Sequence, residues 1–412
     1  MTVSALPHDI LTKIIDIFVE DANTWNEVRA LSTISKFWRD QCRAHLFASL
    51  KIGKPDVICA GMCDGCECEE QADVPIPASR LVSLAKDHPA TLPYIQEITL
   101  ISPTDEDASK LPKIMAKLTN LISLNFYLEQ NPWNEHLSES LRAVAKFSGF
   151  RRLTLQGVSQ FPVKEFAYLT QLQFLELSQV ELVKKGRCNV TTTPPRLKSV
   201  WLAGMDMFYE GPCFNALEMR RKDGKLLVNL SGLTKIHFGV NDSQAVQQVS
   251  RLLKMNRVDT LEEMSFIFSL RKEDHEFNYQ THMDGWILPN RRTLKILDVY
   301  SSISEGDKDP YSGLCVTLDK LASNNVLTSL HILVGISTRM FYDNYVREID
   351  NEWKTLCSVL LKPGWKSLKK VKLEVIPDSE DEVTVTAEGK TKLFDIFKPL
   401  YAQHFTFEIV FH

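Results

Sequence analysis

Leu121-Ile122-Ser123-Leu124-Asn125-Phe126 holds the spacing on which the fold is read: an apolar residue, two free positions, an apolar residue, one free position and a third apolar residue. The last two apolar residues alternate with a polar one, which is the period of a strand with one buried face. Upstream the spacing recurs at Ile95-x-x-Ile98-x-Leu100. Downstream it recurs at Phe150-x-x-Leu153-x-Leu155, Leu172-x-x-Leu175-x-Leu177, Leu197-x-x-Val200-x-Leu202 and Leu233-x-x-Ile236-x-Phe238. It continues through Leu261-x-x-Met264-x-Phe266, Leu294-x-x-Leu297-x-Val299, Leu327-x-x-Leu330-x-Ile332 and Leu368-x-x-Val371-x-Leu373. Ten occurrences in order, starting 22 to 41 residues apart, make a repeat rather than a coincidence. The intervals leave room for helices, and Gln244 to Met255 carries Val246, Val249, Leu252 and Leu253 at helical spacing. Strand, helix and strand in succession imply parallel strands with right-handed crossovers, each unit burying its apolar face only against its neighbours. Phe405 to Phe411 alternates in the same way and predicts a capping strand at the end of the array.

The first fifty residues follow a different rule. Ile10, Leu11, Ile14 and Phe18 lie on one face of a predicted helix, with Pro7 near its first turn. Thr24-Trp25-Asn26-Glu27 forms a capping box for a second helix carrying Val28, Leu31 and Ile34, and a third is predicted around Trp38, Cys42 and Leu46. Three short helices cannot bury a core alone. Their apolar face either packs as the core of a small domain or docks in a partner's groove.

The order Leu6-Pro7-x-Asp9-Ile10-Leu11-x-x-Ile14, then Leu31-x-x-Ile34-Ser35-Lys36-x-Trp38-Arg39, then Leu46-Phe47, resembles an F-box motif. The repeats behind it resemble the degenerate leucine-rich repeats of fungal-type F-box proteins, although the asparagine that ends a regular repeat is mostly missing. The resemblance implies an α/β chain: a small three-helix F-box over residues 1–50, a linker with a cysteine-rich loop over 51–92, and a curved leucine-rich-repeat-like solenoid with parallel strands over 93–412. It further implies a non-catalytic, substrate-recognition subunit of a Skp, cullin and F-box ubiquitin ligase. Leu6, Pro7, Asp9, Ile10, Leu11, Ile14, Phe18, Leu31, Ile34, Trp38, Leu46 and Phe47 would then meet a Skp-type adaptor, and through it a cullin. The alternative is an adaptor-binding or interaction scaffold that directs no ubiquitin transfer.

Residues between the pattern positions of each strand point away from the helices, so they are the candidates for holding a target protein. Tyr127, Arg152, Phe174, Glu176, Trp201, His237, Asp298, Tyr300 and His331 belong to this set. Trp201 and Phe174 on such a face mark either a protein-binding patch or a surface covered by loops.

Composition narrows the remaining functions. The chain is 44% hydrophobic and 24% charged, at globular averages, with a formal net charge of −4. No global basic field exists, so nucleic acid and anionic membrane are not expected partners. No apolar run is long enough to span a bilayer, and Asp9, Lys13 and Asp16 interrupt any signal-peptide core, so an intracellular protein, cytoplasmic or nuclear, is expected. Cys59, Cys63, Cys66 and Cys68 have the thiolate density of a zinc site, yet all four fall within ten residues among acidic neighbours. An irregular linker is the expected reading there, with no metal and no cofactor. Gly-x-Ser-x-Gly, phosphate-loop and dinucleotide-binding motifs are all absent from the chain.

Overall fold

Each of the ten sequence patterns ends in a strand. The computed structural model describes residues 30–53, 75–184, 193–203, 217–240, 243–268, 279–303, 313–336, 345–377 and 387–411, with Lys13 and Val28 besides. The chain divides into two compact units, residues 1–172 with 180–193, and residues 173–179 with 194–412.

In the first unit, strands β1 (Ser49–Gly53), β2 (Glu97–Ile101), β3 (Ser123–Tyr127) and β4 (Arg152–Pro162) lie side by side in chain order, all parallel. Parallel neighbours need a crossover between them. The helices α1 (Lys36–Leu46), α2 (Ala78–Asp87), α3 (Asp105–Met115) and α4 (Glu135–Val144) precede or join these strands. The register repeats without a slip: Ile98 faces Leu124, Leu124 faces Leu153, Leu100 faces Phe126 and Phe126 faces Leu155. Like therefore stacks on like, and all of these side chains are fully buried.

The second unit repeats the scheme with β5 (Phe174–Val183, of which residues 174–179 belong to this unit), β6 (Ser199–Ala203), β7 (Lys235–Val240), β8 (Glu263–Phe268), β9 (Ile296–Ile303), β10 (Ser329–Ile336), β11 (Lys370–Pro377) and β12 (Thr406–Phe411). Helices α5 (Ser243–Asn256), α6 (Tyr279–Ile287), α7 (Leu314–Ala322), α8 (Tyr345–Leu360) and α9 (Ala387–Phe397) fill the intervals after β7. Trp286 of α6 packs edge-on against Phe238 and Phe266, so the helices cover the face that holds the pattern residues. Helix α5 spans the expected 244–255 segment and exceeds it by one residue at each end. The predicted cap strand is β12, parallel to β11.

Several sequence readings change. The acidic stretch Asp105 to Asp107, which composition alone would place in a loop, is the first turn of α3. Thr104 caps it by accepting a hydrogen bond from the Asp107 N–H at 3.2 Å, and three carboxylates at the positive end of a helix are stabilised by its dipole. The repeat also begins before Ile95. Phe47-x-x-Leu50-x-Ile52 obeys the same spacing, and Leu50 and Ile52 pair with Ile98 and Leu100. The stretch 51–92 thus carries repeat elements at both ends, the end of β1 and helix α2. At the other end, His404 stands where an apolar first position would fall and bonds through Nε2 to the Trp365 carbonyl at 2.8 Å.

Asparagines do appear as joints, at places the regular repeat does not specify. Asn290, almost fully buried, donates to the Trp286 carbonyl at 2.8 Å and accepts from the Leu261 N–H at 2.9 Å. Asn256 does the same with the Leu252 carbonyl and the Leu230 N–H. Each satisfies one orphan carbonyl at a helix end and one loop donor.

A buried ion pair ties α4 to the turn after β4. Glu165 has no exposed surface and receives both Nε and Nη2 of Arg142, at 2.8 and 2.5 Å. This pairing raises the Arg142 pKa further above its ordinary value. Removing one partner strands the other. Glu165→Ala is expected to lower unfolding free energy by about 2–4 kcal/mol, somewhat less than for a fully enclosed pair because Arg142 keeps contact with water. Joint replacement by Arg142→Met and Glu165→Leu should recover most of the loss, as chemical denaturation would measure.

Candidate functional site

Because side chains alternate along a strand, the residues between the pattern positions lie on the face opposite the helices. In the second unit the registers align eight of them in one row, one from each strand: Glu176, Trp201, His237, Ser265, Asp298, His331, Lys372 and Glu408. Six of the eight can carry charge, and the row forms linked clusters.

Trp201 is 45% exposed, and its ring stacks on the His237 imidazole with centroids 3.8 Å apart and planes inclined at 21°. His237 Nδ1 lies 2.8 Å from Ser265 Oγ, while its Nε2 is enclosed without a hydrogen-bond partner among the described residues. Burial lowers the His237 pKa below its ordinary 6.5, so the ring is neutral at pH 7 and suited to lie flat under the indole. Further along, His331 bridges two acids. Its Nε2 is 2.5 Å from Glu374 Oε2, and its Nδ1 is 4.0 Å from Asp298 Oδ1. Burial raises the Asp298 pKa; the His331 charge opposes that shift and Glu263 reinforces it. Lys372 completes the cluster at 2.5 Å from the other Glu374 oxygen. Lys235 with Glu263 at 2.5 Å, and Lys370 with Glu408 at 2.9 Å, neutralise one another on the same face.

The sequence candidates separate accordingly. Phe174, Glu176, Trp201, His237, Asp298, Tyr300 and His331 share the strand face of the second unit, with Phe174, Glu176 and Tyr300 half-buried. Tyr127 and Arg152 belong to the face of the first unit, where Tyr127 is half-buried and Arg152 exposed. Around them the face is made of short, buried polar side chains. Asn125 Nδ2 donates to Glu97 at 2.7 Å and to Thr99 at 3.2 Å, and Ser123 Oγ donates to Asn125 Oδ1 at 3.3 Å. Such a network stiffens the sheet and presents little to a partner.

Ser265, Lys372 and Glu374 were not among the sequence candidates. The signal was available, since the patterns beginning at Leu261 and Leu368 already placed them on this face. Ser265 touches His237, but no carboxylate lies behind the ring at Nε2 among the described residues, so the contact lacks the third member of an activated nucleophile.

Among the adaptor candidates, Leu31, Trp38, Leu46 and Phe47 are half-buried, whereas Ile34 is 64% exposed immediately before Ser35, whose Oγ caps α1. Leu6, Pro7, Asp9, Ile10, Leu11, Ile14 and Phe18 lie outside the described residues, as do Cys59, Cys63, Cys66 and Cys68. Cys42, Cys315 and Cys357 are buried and unbridged. No group of described residues could hold a metal ion, and no described helix is long and apolar enough to cross a membrane.

No protein-family model matches this chain, and no curated protein matches it. Among solved structures, the crystal structure of an internalin from Listeria monocytogenes is similar at 12% identity, covering 96% of each chain with a TM-score of 0.33. At that TM-score the likeness carries no argument, and the fold assignment rests on the strand registers given above.

The enclosure of His237 has a measurable consequence. Its folded pKa is depressed, so its stabilising contribution is present above pH 6.5 and is lost as pH falls through the folded value. Between pH 7 and about pH 5.5 the wild type should lose more stability than His237→Gln, as urea denaturation at each pH would detect. Parallel pH profiles for the two proteins would contradict the burial argument.

Proposed function

We propose that this chain is the substrate-recognition subunit of a Skp, cullin and F-box ubiquitin ligase. Its amino-terminal helices hold the adaptor, and the strand face of the second unit holds a target protein. The observation that carries target binding is the row from Glu176 to Glu408, with Trp201 exposed at its aromatic end. Exposed tryptophan beside organised charge is the composition of an interface hot spot. The adaptor half rests on the order of Leu6-Pro7, Ser35-Lys36-x-Trp38-Arg39 and Leu46-Phe47, and is supported by the exposed Ile34. An isoleucine left in water next to a capped helix gains by entering a partner's groove.

The subunit itself performs no chemistry in this reading. Holding the target beside a ubiquitin-charged enzyme raises its effective concentration, and proximity accelerates transfer.

Affinity purification from cells separates the two surfaces. Leu6→Ala with Pro7→Ala, or Ile34→Asp, should lose the adaptor while retaining proteins held by the repeats. Trp201→Ala should retain the adaptor and lose at least one partner, with affinity reduced by roughly 30-fold or more, the loss typical of a hot spot of ~2 kcal/mol. Unchanged adaptor recovery in the amino-terminal variants would refute the ligase role. Partners that depend on Trp201 but do not accumulate when the ligase is inhibited would instead identify a scaffold.

A further inference from the structure

We propose that the groove between α5 and α6, on the helical side of the second unit, binds an amphipathic organic anion: a carboxylate, sulfonate or phosphate-monoester head on an apolar body. This goes beyond target recognition, which uses the opposite face.

The groove encloses about 400 Å³, within the range of small-molecule sites. Its floor is rigid. Trp286 Nε1 donates to Ser250 Oγ at 2.9 Å, and Ser250 Oγ donates its only hydrogen to the Val246 carbonyl at 2.9 Å. His282 Nδ1 lies 2.6 Å from the same oxygen and joins this network. Leu253, Val258 and Pro289 make the walls apolar, and the rim carries Lys254, Arg257 and Asp259.

The charge of the rim selects the ligand. Neighbouring cations are already neutralised: Arg251 of α5 meets Glu218 at 2.5 Å, and Lys320 of α7 meets Asp284 of α6 at 2.5 Å. Lys254 and Arg257 form no ion pair among the described residues, although both border the groove. One carboxylate, Asp259, faces two cations, which leaves a net positive rim over an apolar pocket. The helix dipole accounts for Lys254 alone, since it lies in the last turn of α5. Arg257 follows the helix end at φ +50°, the left-handed position where glycine or asparagine is the economical choice. An arginine kept there carries its guanidinium to the rim at a backbone cost of about 1 kcal/mol. An inorganic ion would leave the apolar walls unused, and a neutral ligand would leave both cations unused.

Anilinonaphthalene sulfonate and its uncharged relative phenylnaphthylamine test the idea on the full chain. Lys254→Gln with Arg257→Gln should weaken sulfonate binding by at least roughly tenfold and leave the uncharged probe unaffected. Arg251→Gln, on the same helix but outside the groove, should change neither. Dodecanoate and dodecyl phosphate should displace the sulfonate, whereas inorganic phosphate should not. Both substituted residues are exposed, so thermal unfolding should confirm an intact fold. Equal sulfonate binding by wild type and double variant would overturn the proposal, as would parallel weakening of both probes.

Discussion

Everything in each unit depends on parallel strands meeting their neighbours in a register that never slips. Two backbone groups at the start of each strand enforce it. The Gln96 carbonyl accepts from both Ile122 and Ser123, the Ile122 carbonyl from Arg151 and Arg152, and the Thr234 carbonyl from Glu262 and Glu263. A shift of one residue would turn every pattern side chain from the helical side to the open side, so hydrophobic burial and the backbone ladder select the same alignment. Because that alignment is set only at the strands, the connections can vary widely in length without disturbing it. Intervals of 22 to 41 residues coexist for this reason.

That division also explains how much was legible in the sequence. The core could be read directly: Ile95, Ile98 and Leu100, and the corresponding three residues of every later pattern, are all buried. The outward row followed from the same alternation, because the side chain between two buried neighbours has one direction left. What escaped was set by local geometry or by distant partners. Thr104 reads as loop or as cap depending on three following residues, and acidic side chains satisfy either. Phe47 belongs both to the end of a helical motif and to the start of a repeat, and only pairing with β2 reveals the second role. Glu165 gives no hint of its burial, since its partner Arg142 lies 23 residues away. The Asn290 joint is equally hidden, because its two bonds join a helix end to a loop 29 residues earlier.

The two faces of the second unit answer different physical demands. The helical face must exclude water, so its aromatic residues interlock, as Phe238, Phe266, Phe268 and Trp286 do. On the open face no described element forms a covering layer, and polar groups are satisfied laterally, strand to strand, through Lys235 with Glu263 and His331 with Glu374. Lateral pairing keeps the net charge of the face small while leaving individual groups available to exchange partners.

The stack of Trp201 on His237 bears on how fast and how selectively such a face can work. An indole clamped against a neighbouring ring samples few rotamers, so a partner that covers it finds the side chain already arrested. Discrimination then falls to shape: a ligand that does not match the orientation of the ring cannot induce it to turn, and dissociates before further contacts form. A flexible tryptophan would accommodate many partners weakly, whereas under the proposed function this one would accept few and hold them longer.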